Sequence, residues 1–198
     1  MRLVLRILGG LLAVLLFIVV ALFASIPIDG FLNRGKVEMM TNTSIQSPGG
    51  EVNAFVAAPT TPEKLPAVIM IHEFWGLKPE IVGKVEALSK EGYVVIAPDT
   101  FRGQTTSWLA KAIWQTLRTP KENINADLDA VFAWLEQQPN VDPSRIMVMG
   151  FCYGGGTSLL YSLHNPGIAA TGIFYGNVGV DEDLSRLPGP VLGIFGED

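Results

Sequence analysis

Residues 145–160, RIMVMGFCYGGGTSLL, hold the feature that decides the fold. A continuous apolar run leads to Gly150, Cys152 follows, and three more glycines open a second apolar segment. The first run is typical of a buried strand, and the second has the spacing of a helix. Cys152 is therefore predicted to lie where a strand turns sharply into a helix, within the pattern G-x-C-x-G.

The residue types in this turn indicate a chemistry. A side chain at the tip of so tight a turn needs a strained backbone, and glycine at Gly150 and Gly154 avoids a collision across it. The amino end of the following helix points at the sulfur, which favours a thiolate and a developing oxyanion. The pattern predicts a nucleophile elbow with cysteine in the place of serine. The competing interpretations are a buried core cysteine, a phosphate loop, which needs a Lys-Ser/Thr ending, and a redox motif, which needs a second cysteine.

The segments around the turn alternate between strand and helix patterns. Strands are predicted in SIQSPGGEVNAFVAAP (a hairpin), LPAVIMIHEFWG, YVVIAPDTF, RIMVMG, IAATGIFYG and PVLGIFGED; helices are predicted in EIVGKVEALSKEGY, TTSWLAKAIWQTLRTP, NINADLDAVFAWLEQQPNVD and GTSLLYSLHNPG. Continuous apolar strands separated by helices predict an α/β fold, with a mainly parallel sheet covered by helices on both faces.

Composition narrows the functional classes. The 198 residues hold 14 Lys and Arg against 19 Asp and Glu, a formal net charge of −5. Because no basic stripe is present, nucleic acid is not expected as a partner. The single cysteine excludes an internal disulfide and is a candidate nucleophile. No cofactor and no metal ion are expected.

The amino-terminal segment is the most apolar part of the chain. Residues 7–24 carry no charge, with Arg2 and Arg6 before them and Arg34 and Lys36 after. A helix needs about 20 apolar residues to cross a bilayer, whereas the apolar part of a secretory signal is usually about 7–15 residues. An uncleaved single-pass anchor is therefore favoured over a cleaved signal that leaves a secreted protein. The leading arginines favour an extracytoplasmic domain, and the arginine and lysine after the span weaken that assignment.

Several motifs together resemble one family. GFCYGGG, MIHEFWGL, EGYVVIAPD, DLDAVFAWLEQQPNVD and LGIFGED are similar to the dienelactone hydrolase family of α/β-hydrolases, over about residues 45–198. The resemblance implies an α/β-hydrolase domain at 45–198, after a membrane anchor or signal at 1–29 and a linker at 30–44. The apolar amino-terminal segment is not part of the usual family pattern.

The resemblance also implies roles for particular residues. Cys152 would attack the carbonyl carbon of an ester or lactone. Glu73 matches the glutamate that pairs with the thiol in the resting enzyme and helps to ionise it when substrate binds. The backbone N–H groups of Phe74 and Tyr153 would form the oxyanion hole. Trp75 is a candidate for the substrate pocket, with core packing as the alternative.

The acid and the histidine that the family pattern requires are only partly present in the sequence. Asp198 follows the strand after which the family places its catalytic aspartate, with Glu197 or a later acid as alternatives. The catalytic histidine follows the acid in chain order, and neither His72 nor His164 matches that place. We therefore expect the chain to be truncated at its carboxyl end, with the histidine beyond residue 198. Residues 1–198 alone are then expected to be inactive or nearly so.

The segment predicted to cover the site is TTSWLAKAIWQTLRTP, together with the residues just before it. Its periodicity places Trp108, Ala112 and Gln115 on one side of a helix and Leu109, Ile113 and Leu117 on another. Arg102 and Arg118 are candidates to meet a substrate carboxylate, with surface charge as the alternative interpretation.

The predicted function is hydrolysis of small carboxylic esters or lactones by a membrane-anchored domain. A catalytically inactive, membrane-anchored binding domain of the same fold is the alternative. A thiol redox sensor at Cys152 is a third interpretation.

Overall fold

The computed structural model describes residues 2–177 and 182–197. The helices are α1 (Arg2–Leu32), α2 (Pro79–Lys90), α3 (Leu109–Arg118), α4 (Lys121–Glu136) and α5 (Tyr153–His164). The strands are β1 (Thr43–Ser47), β2 (Gly50–Ala57), β3 (Leu65–Ile71), β4 (Val94–Pro98), β5 (Val141–Phe151), β6 (Thr171–Phe174) and β7 (Val191–Ile194).

The strands form one mixed sheet in the order β1-β2-β4-β3-β5-β6-β7. β1 and β2 pair antiparallel, as do β2 and β4, and every other pair is parallel. The predicted hairpin and mainly parallel sheet are confirmed. Parallel strands bring their carboxyl ends to one edge, and the winding reverses between β3 and β5, so a crevice is expected beyond the ends of those two strands.

The side chains of β3 show how both faces of the sheet are covered. Ile69 belongs to a buried cluster with Leu128 of α4 and Tyr161 of α5. Its neighbour Val68 points to the other face and belongs to a cluster with Val85 of α2. Alternate residues of this central strand are therefore buried under helices on opposite faces, which confirms the predicted layers.

The helix α1 lies largely outside this core. An 18-residue window within its segment Arg6–Leu32 has a mean hydropathy of 3.0, and none of that window is buried within the protein. The helix is long and apolar enough to cross a bilayer, and a signal sequence near an amino terminus has the same properties. Val37, in the segment predicted as a linker, is fully buried against α2, β3 and β4 residues. Part of the 30–44 segment therefore packs on the domain.

Among the element boundaries that differ from the sequence prediction, three have a local structural cause. β5 begins at Val141 rather than at Arg145, and its pairing with β3 skips from Val141 to Ile146 because the residues between form a local turn around Asp142. α5 begins at Tyr153, since Cys152 alone makes the turn out of β5. β6 ends at Phe174, because Tyr175 takes a left-handed conformation with φ 43°.

Candidate active site

Cys152 occupies a strained turn between β5 and α5. Its backbone has φ 53° and ψ −113°, a conformation that L-residues rarely adopt. A hydrogen bond of 2.9 Å from its N–H to the carbonyl of Phe174 in β6 holds the turn, and the side chain is half-buried. A Cβ on Gly150 would fall on the carbonyl of Gly154, and one on Gly154 would fall on the carbonyl of Ile71. The structure thus supplies the steric reason for both glycines of the motif.

A cavity of about 1030 Å³ opens beside the sulfur. Cys152 and Tyr153 form part of its wall, and the other lining residues come from the end of α3, the first turn of α4, α5 and the loop after β6; they include Thr116, Leu117, Pro120, Gly156 and Tyr175. Trp75 is not among the described residues that line this cavity. Its ring packs on Phe74, with 4.3 Å between centroids.

Glu73 follows β3 and lies close to Tyr175, which follows β6. The hydroxyl of Tyr175 donates to Glu73 Oε1 at 3.2 Å. Partial burial, then the negative charge of Glu73 and the nearby Cys152, raises the pKa of Tyr175. Among the described residues, no hydrogen bond joins Glu73 to Cys152, so the tyrosine occupies the carboxylate that was expected to pair with the thiol. Tyr175 was missed in the sequence, where only its place after a predicted strand pointed to the site.

The two predicted oxyanion donors come from different elements. The N–H of Tyr153 belongs to the first turn of α5 and has no acceptor within the helix. The N–H of Phe74 has no assigned acceptor in the described part of the chain. The carbonyl of Phe74 accepts a 2.7 Å hydrogen bond from Nε2 of Gln115, a buried residue of α3. Gln115 therefore fixes the loop that carries one predicted donor, a role that no local sequence signal indicates.

His72 is fully buried, and both of its ring nitrogens have partners other than Cys152. Its Nδ1 contacts the carbonyl of Glu73 at 2.7 Å, and its Nε2 accepts from the N–H of Thr100 at 3.3 Å. Burial lowers the pKa of His72 to about 4. Asp99 Oδ1 lies 3.8 Å from Nε2, beyond hydrogen-bond distance, and burial raises the pKa of Asp99 to about 6. His72 is therefore a neutral side chain that joins the loops after β3 and β4.

The other histidine and the predicted acids lie elsewhere. His164 is at the far end of α5 from Cys152, where its Nε2 is 2.9 Å from Asp129. Asp198 lies outside the described residues, and Glu197 is exposed after β7. Neither histidine of the chain is placed as a base for Cys152.

The two arginines considered for substrate binding have partners in the protein. Arg102 pairs with buried Asp127 through Nη2 at 2.5 Å and Nε at 3.1 Å. The guanidinium of Arg118 lies 4.3 Å from the centroid of the Trp114 ring. Neither residue lines the cavity beside Cys152.

The fold and the site are those of the α/β-hydrolase class. This class has a strained residue between a central parallel strand and a helix, close glycine contacts around it, and a crevice at the switch point of the sheet. The model of the dienelactone hydrolase family matches residues 52–198. The chain therefore belongs to the dienelactone hydrolase family.

Individual relatives agree with this assignment. A Salmonella typhimurium protein named "Putative carboxymethylenebutenolidase" is 33% identical over 187 residues, which are 85% of this chain and 66% of that protein. A protein of the same name from Escherichia coli is 32% identical over 173 residues, or 78% of this chain and 62% of its own length. The crystal structure of "Putative Dienelactone Hydrolase" from Klebsiella pneumoniae has a TM-score of 0.69 and 30% identity, covering 76% of this chain and 69% of that one. The chain thus spans about two thirds of the relatives it matches.

Proposed function

We propose that this chain is a membrane-anchored hydrolase of carboxylic esters or lactones that works through an acyl-cysteine intermediate on Cys152. The observation that carries the proposal is the strained elbow, which exposes the only cysteine to a cavity at the carboxyl edge of the sheet. Membership of the dienelactone hydrolase family supports the same reaction class.

Acylation follows from the groups around the sulfur. The Cys152 thiolate attacks the carbonyl carbon, and the carbonyl oxygen becomes an oxyanion that the N–H groups of Phe74 and Tyr153 stabilise. The carbon–oxygen bond to the leaving group then breaks, which yields a thioester and an alkoxide. The alkoxide takes up the proton that Glu73 received from the thiol, and with a lactone the resulting hydroxyl stays on the bound acyl group. Glu73 accepts the thiol proton after substrate displaces the hydroxyl of Tyr175 from its carboxylate.

Deacylation requires a base that activates water. His72 is buried against Thr100, and His164 lies beside Asp129, so neither reaches the thioester. We expect residues 1–198 to acylate once and then to turn over slowly, because the loss of a positioned acid–base group lowers a rate by about 10²–10⁴-fold.

Anchoring by α1 is the second part of the proposal. An exposed apolar helix of this length is not stable in water without a membrane or a partner, and its composition suits a bilayer. The arginines at positions 2 and 6 favour an amino terminus in the cytoplasm and a domain on the other side.

The test is acylation by p-nitrophenyl acetate, followed by intact-mass spectrometry and by release of p-nitrophenolate. We expect a burst of about one nitrophenolate per chain and one acetyl group, absent in Cys152→Ala. The matched control is the same chain unfolded in urea, which holds the same thiol without the oxyanion donors and should react about 10²-fold more slowly. Equal rates in the folded and unfolded chain would reject a catalytic Cys152 and favour the inactive binding domain.

A further inference from the structure

The helix α3 buries polar side chains and exposes apolar ones, which is the reverse of an ordinary surface helix. Its buried residues include Lys111 and Gln115, which are polar. Its exposed side carries four large apolar side chains, which we call the α3 apolar face: Leu109 (55% exposed), Ile113 (48%), Trp114 (37%) and Leu117 (80%). A helix on a water-exposed surface shows the opposite arrangement, so this face is built to contact an apolar phase.

The contact between α3 and α1 indicates which apolar phase that is. The indole Nε1 of Trp108, the residue just before α3, donates to Ser25 Oγ at 2.9 Å. Ser25 comes directly after the uncharged stretch of residues 7–24, where a spanning helix would leave the hydrocarbon. Lys111 extends its Nζ to Gly30, near the end of α1. The first turn of α3 is therefore attached to α1 at the level where the bilayer surface would lie.

The composition of α3 suits a membrane interface. Amphipathic helices that lie in the interface place Trp and Leu on the apolar face and basic residues beside it. Trp108 and Trp114 are the residue type enriched at membrane–water boundaries, and Arg118 covers the Trp114 ring at the last turn. Because Leu117 also lines the Cys152 cavity, the same helix is a wall of the candidate active site.

We propose that the α3 apolar face lies in the bilayer interface and holds the rim of the Cys152 cavity at the membrane surface. The cavity would then receive apolar esters dissolved in the bilayer in preference to esters in water. This inference rests on the proposed function, because it requires both the anchoring by α1 and the acylation of Cys152.

The first test measures depth in the 198-residue chain reconstituted in phosphatidylcholine vesicles. In a Cys152→Ala background, an environment-sensitive fluorophore is attached at Ile113→Cys. The control label is at Gln137→Cys, an exposed position after α4 at the opposite edge of the sheet. We expect lipids brominated about 5–10 Å below the headgroups to quench the label at 113. We expect aqueous iodide to quench only the label at 137.

Each other outcome overturns the inference in a recognisable way. If the chain does not float with the vesicles, the anchor in the proposed function fails and the α3 inference fails with it. If the chain floats but iodide quenches both labels equally, α3 is in water and only the α3 inference fails. If the label at 113 is shielded from iodide but not quenched by brominated lipid, a second copy or another protein covers the face instead.

The second test measures acylation of Cys152 in the double variant Leu109→Gln/Ile113→Gln. Neither residue lines the cavity, and both side chains are exposed, so folding and acylation by p-nitrophenyl acetate in water should be unchanged. Acylation by p-nitrophenyl palmitate in vesicles should fall roughly tenfold or more, since two apolar contacts with lipid are lost. Equal palmitate rates in the variant and the wild type would overturn the proposed membrane supply of substrate. Failure of both esters in the wild type would instead reject the acylation in the proposed function.

Discussion

Replacement of Gly154 by alanine tests how closely the elbow packs on β3. An alanine Cβ at this position falls on the carbonyl oxygen of Ile71 and lies 2.6 Å from the carbonyl oxygen of His72. Both neighbours are backbone atoms at the end of a central strand, so they cannot move aside as the tip of a flexible side chain would. The methyl group must displace the start of α5 or the end of β3.

The expected loss of stability follows from that contact. Overpacking of a core typically costs about 1–3 kcal/mol, and a backbone neighbour places this case at the upper end or beyond. A loss of about 3 kcal/mol lowers the Tm by about 6–12 °C in a domain of this size. Gly83→Ala is the matched control, because Gly83 lies inside α2 with nothing within 4 Å of an added Cβ. There the same methyl group should stabilise the protein by about 0.5–1 kcal/mol.

The assay is thermal unfolding of the 198-residue chain in one detergent, followed by near-ultraviolet circular dichroism. The two glycine-to-alanine changes should shift the Tm in opposite directions. A Gly154→Ala protein that melts within about 2 °C of the wild type would refute the close approach of the elbow to β3. A similar decrease for Gly83→Ala would mean that the decrease reflects general sensitivity to substitution.

Two further predictions concern buried charge. The pKa of His72 is lowered from 6.5 to about 4 in the folded protein, so the unfolded chain binds a proton at this residue at a higher pH than the folded one. The free energy of unfolding should therefore fall by roughly 3 kcal/mol as the pH is lowered from 6.5 to 4. Asp99 has a raised pKa, so its protonation increases the stability over part of the same pH interval. The free energy of unfolding in urea is therefore measured at pH 6.5 and pH 4 for both the wild type and His72→Gln, and the two proteins are compared. An equal change with pH in the two proteins would contradict the role of His72. Arg102→Ala leaves the carboxylate of Asp127, which is 1% exposed, without its cation and should lower the free energy of unfolding by about 3 kcal/mol. The half-exposed Arg145 is the control, since Arg145→Ala should change it by less than about 1 kcal/mol; equal losses would show that burial of the pair is unimportant.

The parts of the fold that depend on local pattern were predictable from the sequence. The elbow is one of these parts. G-x-C-x-G between a strand pattern and a helix pattern predicts the sharp turn, and its two glycines indicate that the turn has no room for larger side chains at those positions. The sheet is another, since continuous apolar runs alternating with helices allow few topologies. The limits of β5 were not predictable, because the turn around Asp142 depends on hydrogen bonds that a hydrophobic pattern does not show.

The parts of the site that depend on tertiary contacts were missed. Tyr175 contacts Glu73 across 102 residues, and Gln115 contacts Phe74 across 41. No spacing rule connects such pairs. The periodicity of α3 separates Leu109 from Gln115 correctly, but it does not say which side faces the core. An apolar stripe ordinarily predicts the buried side, whereas in α3 the apolar stripe is exposed and the residue before the helix contacts α1.

The two sides of α3 contact different parts of the candidate active site. The outer side of the helix carries Leu117, which lines the cavity, and the inner side carries Gln115, which holds the carbonyl of Phe74. The peptide group after that carbonyl is rigidly connected to the loop whose N–H is the predicted oxyanion donor. Within the proposal, α3 therefore connects the outer wall of the cavity with the loop that carries the predicted donor. A change on the inner side of α3 should therefore alter acylation by any ester, whereas a change on the outer side away from the cavity should alter only the supply of ester from the bilayer.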